Sequence, residues 1–99
     1  MERRVHPRQP VRFLAQHQVG PEEGLEVDYV RDLSQSGLFI TTRRAVPRDS
    51  TLLVHFSPQR DSRLVSAFCK VTRVTPDGVG AEFVGLDAQA TRLIEQSLG

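Results

Sequence analysis

Arg4-x-x-x-Arg8, with Arg3 directly before it, brings three guanidinium groups into six residues. An arginine side chain is a planar fork of donors that stays charged. It pairs bidentately with phosphate and with the O6 and N7 edge of guanine. It also stacks its plane on a base or an aromatic ring. Pro7 removes one backbone donor just before Arg8 and stiffens the segment. A second pattern, Asp32-x-Ser34-x-x-Gly37, complements the first. The Asp32 carboxylate is an acceptor suited to the N1–H and amino group of guanine, a donor pair that adenine lacks. Ser34 can donate and accept. Gly37 permits a positive φ or a close approach of backbone to ligand. Each pattern also has a plain reading. Arginines at a chain start can form a solvated basic tail, and Asp-x-Ser-x-x-Gly taken alone is more simply an inter-strand turn.

The charge distribution points the same way as the first pattern. Residues 1–12 hold four arginines (Arg3, Arg4, Arg8 and Arg12) against Glu2, whereas the whole 99-residue chain carries only +1. The rest of the chain is net acidic, so an anionic partner would be met by the N-terminal segment. Other chemistry is poorly supplied. No pair of acids sits in a recognisable acid/base arrangement, no nucleophile has a marked base, no metal-ligand spacing appears, and His6, His17 and His55 sit on separate segments. The expectation is therefore no catalysis and no metal. Cys69 is the one cysteine and lies in an apolar run, which suits a small buried hydrophobe and excludes an internal disulfide. No apolar run approaches the length of a membrane span, and no apolar segment follows the arginines as in a signal peptide. A reducing, cytoplasmic location is expected.

The elements that must position these residues are short. Residues 11–16, 25–30, 37–42, 51–56, 63–74 and 79–84 have strand character, from alternation and β-branched or aromatic content. Residues 46–50 read as a turn or loop. Pro76-Asp77-Gly78 predicts a tight hairpin using left-handed angles. Asp87 is a suitable N-cap for a helix whose stripe is Ala90, Leu93, Ile94 and Leu98. Six strands with regular turns and one final helix predict an all-β domain, a small antiparallel barrel with a helical lid. There are no internal repeats. Residues 1–10 are expected to be a flexible arginine-rich segment, and 11–99 the barrel domain.

The two patterns in this order, about two dozen residues apart, resemble the PilZ family of bacterial cyclic di-GMP receptors. Gly37-Leu38-Phe39-Ile40 is similar to the glycine-apolar strand start of that family. Val71-Thr72-Arg73-Val74 and Val79-Gly80-Ala81-Glu82-Phe83 are similar to its late hairpin. The likeness runs over residues 3–98. It implies a six-stranded antiparallel PilZ-type β-barrel with a C-terminal α-helix. It implies that Arg3, Arg4, Arg8, Asp32, Ser34 and Gly37 bind cyclic di-GMP, with no other cofactor. Arg4 and Arg8 would take guanine edges and phosphates. Asp32 and Ser34 would take the remaining guanine edges from the barrel surface, which Gly37 keeps clear. Arg3 adds a further fork, suited to two stacked ligand molecules. Ligand binding would order the N-terminal segment and present a new surface to an unidentified effector protein, in motility, polysaccharide export or transcription. A monomer or weak dimer is expected.

Two rival readings differ in kind. A basic arm on a small barrel can grip single-stranded nucleic acid, but such proteins use aromatic platforms. Here five of the six aromatics are phenylalanines assigned to the core, and the body of the chain is acidic, so no nucleic-acid partner is expected. The other rival is a PilZ-like interaction adaptor with weak or no nucleotide binding.

Overall fold

Alternating inward apolar and outward polar residues leave each predicted strand with one face that must be covered, and a closed sheet covers all of them at once. The computed structural model describes residues 9–20, 24–59 and 63–98. It contains β1 (Gln9–Val19), β2 (Glu26–Leu33), β3 (Gly37–Thr41), β4 (Thr51–Phe56), β5 (Val65–Thr75), β6 (Gly78–Val84) and α1 (Ala88–Ser97). All pairings are antiparallel, in the order β1-β2-β3-β6-β5-β4, and β4 closes on β1.

Ala15, Val30, Leu33, Leu38, Ile40, Leu52, Val54, Phe56, Val65, Val71 and Ala81 fill the barrel. The predicted helix forms as expected. The Asp87 carboxylate accepts the Ala90 N–H at 2.7 Å, satisfying one of the open donors of the first turn. Ala90 and Ile94 are buried, and Leu93 and Leu98 pack beside them against the core. The Gln9 side-chain amide donates to the Leu98 carbonyl at 2.9 Å, so the start of β1 and the end of the helix meet.

Three expectations need correction. First, β1 runs through Pro10 and starts at Gln9, so both residues belong to the sheet and not to the N-terminal segment. Pro10 is tolerated because the β1–β2 register shifts between Pro10 and Phe13, where a missing donor does little harm. Second, neither Asp77 nor Gly78 adopts a positive φ. Pro76 and the Thr75 hydroxyl close that turn instead, and the hydroxyl accepts the N–H groups of Asp77 and Gly78 at 3.2 Å each. Third, the phenylalanines do not all serve the core. Phe13, Phe56 and Phe83 stack there, with centroids 5.6 and 6.2 Å apart. Phe68 is 58% exposed, and Phe39 is buried on the outer face of the sheet.

Candidate functional site

Asp32 owes its position to a β-bulge. The β2–β3 register shifts between Val30 and Asp32, leaving Arg31 as the extra residue. Strict alternation from Val30 would turn Asp32 inward and Leu33 outward. The bulge reverses this: Leu33 is fully buried, while Arg31 and Asp32 both turn to the outer face. The Arg31 Nε lies 3.9 Å from an Asp32 carboxylate oxygen.

The turn after β2 is held by Ser34. Its hydroxyl accepts the N–H groups of Ser36 and Gly37 at 3.1 Å each and lies 3.4 Å from the Gly37 carbonyl. The Ser34 N–H donates to the same carbonyl at 2.8 Å. Ser34 is 1% exposed, so its hydroxyl serves the turn rather than the surface. Gly37 is extended, not left-handed. A Cβ there would strike the Ala81 carbonyl oxygen of β6. The close approach that requires glycine is to a neighbouring strand.

Arg3, Arg4 and Arg8 lie outside the described residues. The two residues after Arg8 have a defined place: Gln9 pairs with Leu33, and Pro10 with Asp32. The start of β1 therefore runs directly beside the Asp32 turn.

Sequence reasoning missed a second group on this face. Phe39 pairs with Asp32 on one side and Gly80 on the other, and Gly80 also pairs with Arg73 of β5. The Phe39 ring points outward, yet it is fully buried, because the Arg31 guanidinium carbon sits 3.9 Å and that of Arg73 5.5 Å from its centroid. On the adjoining strands, Arg12 lies 4.7 Å over the Tyr29 ring. The spacing of these residues gives no helical or alternating signal, because each arginine follows or occupies a bulge.

His17 is buried, with Nε2 2.8 Å from Asp28 Oδ2. Cys69 is fully buried as expected, and burial pushes its thiol up to about 12. Among the described residues no cluster of His, Cys, Asp or Glu could hold a metal ion, and no helix is long and apolar enough to cross a membrane. A concavity of about 720 Å³ lies over β1 and β4, lined by Leu14, Gln16, His55 and Leu64 among others, and Asp32 does not line it. Asp32 itself is partly exposed on the outer face of the sheet.

The family model described as PilZ domain matches residues 2–99. No curated protein matches the chain by sequence. Among solved structures, the Bacillus subtilis inhibitor of motility MotI/DgrA superposes with a TM-score of 0.81 at 16% identity, covering 99% of this chain and 51% of that one. The PilZ domain of CeSA from a cellulose-synthesizing bacterium gives 0.71 at 10% identity, covering 91% and 92%. MrkH of K. pneumonia, in complex with c-di-GMP, gives 0.77 at 14% identity, covering 99% and 51%. The chain thus spans about half the length of MotI/DgrA and of MrkH.

Proposed function

The chain belongs to the PilZ family, and from that premise we propose that it is a binding module for cyclic di-GMP that relays occupancy to a partner protein, and not an enzyme. One observation carries the reading. Pro10 pairs with Asp32, so the peptide immediately after Arg4-x-x-x-Arg8 is fixed against the outward carboxylate at the end of β2. A ligand on that outer face would have Asp32 beneath it and the arginines on the chain that leads into β1. Asp32 would accept from the guanine N1–H and amino group. Arg4 and Arg8 would take phosphate and the O6/N7 edge. Ser34 and Gly37 would act by holding the turn. MrkH, part of which superposes on this barrel, was solved in complex with c-di-GMP, which supports the reading.

The adaptor reading has its own support, because Ser34 and Gly37 are both accounted for by turn and strand packing. Calorimetric titration with cyclic di-GMP separates the two. Binding is expected, and Arg8→Ala is expected to weaken it by about 2–5 kcal/mol. Asp32→Ala should erode the preference over cyclic di-AMP more than overall affinity. Two ligands per chain would support the stacking role of Arg3, and one would sink it. Absence of heat with the unaltered chain leaves the adaptor.

A further inference from the structure

The β5–β6 hairpin repeats the β2–β3 hairpin. Asp32-x-Ser34-x-x-Gly37 has its counterpart in Arg73-x-Thr75-x-x-Gly78. The likeness is in the hydrogen bonds, not only the letters. Thr75 Oγ1 accepts from Asp77 and Gly78 and donates to the Gly78 carbonyl, as Ser34 Oγ does with Ser36 and Gly37. The Phe83 N–H donates to the Ser36 carbonyl at 2.8 Å, and the Thr42 N–H donates to the Asp77 carbonyl at 3.2 Å, each binding its hairpin to the other. A Cβ on Gly37 would strike the Ala81 carbonyl, and one on Gly78 would strike that of Ile40. Both arms bulge just before the motif, between Val30 and Asp32 and between Val71 and Arg73.

These correspondences define a local twofold axis through the Phe39–Gly80 pair. Across the outer face it gives one row: Asp32, Phe39, Gly80, Arg73. The two ends are three strand spacings apart, about 14 Å. At the centre a large ring faces a glycine, so the ring has room to lie flat across the seam. At the ends the charges are opposite. Among the described residues Arg73 has no carboxylate in ion-pair range, and its guanidinium lies against the Phe39 ring. A guanidinium lying over a ring keeps its donors free while giving up much of its conformational freedom.

We propose that Arg73, backed by Phe39 and assisted by Arg31, is a second ligand-binding position on this face, taking the acceptor groups of the dinucleotide while Asp32 takes its donor edge. The inference rests on the cyclic di-GMP reading and extends the site across β3 and β6 to β5. The acceptor groups are the phosphate oxygens or the O6/N7 edge of guanine, which the same fork fits.

The test is calorimetric titration of cyclic di-GMP into the unaltered chain, Asp32→Ala, Arg73→Ala and Arg73→Lys. Arg73→Ala should weaken binding roughly tenfold to a hundredfold while the chain stays folded at the titration temperature, because Arg73 is exposed and its loss uncovers only part of the Phe39 ring. Arg73→Lys should recover less than half of that loss on a logarithmic scale, since lysine keeps the charge and loses the fork. Repeating the titrations at several salt concentrations separates the sources. A shallower salt slope in Arg73→Ala assigns the phosphate, and an unchanged slope assigns the guanine edge. If the unaltered chain binds and Asp32→Ala weakens binding, but Arg73→Ala stays within twofold, the second position is overturned and the cyclic di-GMP reading stands. If the unaltered chain does not bind, both fall.

Discussion

The β2–β3 hairpin closes through Ser34 and the β5–β6 hairpin through Thr75, and the two hydroxyls make the same set of contacts with their own turns. Ahead of the hydroxyl, one arm carries Asp32 and the other Arg73. Behind it, both carry a glycine that the facing strand's carbonyl makes obligatory. The comparison separates two jobs that a motif of six residues mixes together. Serine or threonine and the final glycine build the hairpin wherever it occurs. Only the first position differs in chemistry, and it is the position that faces outward. In a pattern such as Asp-x-Ser-x-x-Gly the later positions are therefore fixed by the architecture, and the first is the one turned outward.

The comparison is open to breaking at each position. The largest effect is expected at the glycines. Gly37→Ala and Gly78→Ala each force a Cβ into a backbone carbonyl, and each should destabilise the domain by about 3 kcal/mol in urea titrations. A loss at one position only would end the structural equivalence. Next come the hydroxyls. Ser34→Ala removes a buried hydroxyl that two amide groups share, that of Gly37 being buried, and should cost about 2 kcal/mol, whereas Thr75→Ala, at a partly exposed turn, should cost about 1 kcal/mol. Thr75→Ser should restore that hairpin, because the hydroxyl is the active part.

Cys69, on the inward face of β5, lies in the shared barrel core between Leu52 of β4 and Phe83 of β6. Its thiol should resist alkylation at pH 8 in the folded chain and react in denaturant. Gly78→Ala should speed labelling more than Gly37→Ala, if opening of β5 exposes it. Burial raises the thiol from 9.0 to about 12, so the folded state holds the proton more tightly. That contribution is complete below pH 9.0 and drains away as the pH climbs toward 12. Cys69→Ala should flatten the alkaline limb of the stability profile. The smallest effect on stability is expected from exchanging the charges, Asp32→Arg with Arg73→Asp, at about 0.5–1 kcal/mol, the worth of the Arg73 contact with the Phe39 ring. Cyclic di-GMP binding should nonetheless fall, because the two ends of the row would be reversed with respect to Arg31 and to the chain leading into β1.

Much of the barrel is legible in the sequence because burial imposes a period. β4 has the predicted bounds, and the helix obeys its N-cap and stripe. The features that escape the sequence lie at the bulges. Val30-Arg31-Asp32-Leu33 breaks alternation, so the predicted strand stops at residue 30 while β2 continues to Leu33. Pro10 reads as a boundary because proline cannot donate, yet a register shift absorbs it. Hydrophobicity assigns Phe39 to the core. Its burial comes from two arginines on neighbouring strands, a long-range fact that no local window contains. The site is legible in part for the same reason. The spacing singles out Asp32, Ser34 and Gly37, but that Asp32 turns outward, Ser34 closes the turn and Gly37 meets Ala81 depends on a bulge and on the facing strand.

The Gln9–Leu98 hydrogen bond joins residues 89 apart in sequence. Its consequence is one of wiring. A domain whose first strand and last helix meet at one point is attached like a side plug rather than a link in a string. The stretch from Gln9 to Leu98 could be set into a surface loop of a host protein without stretching the host.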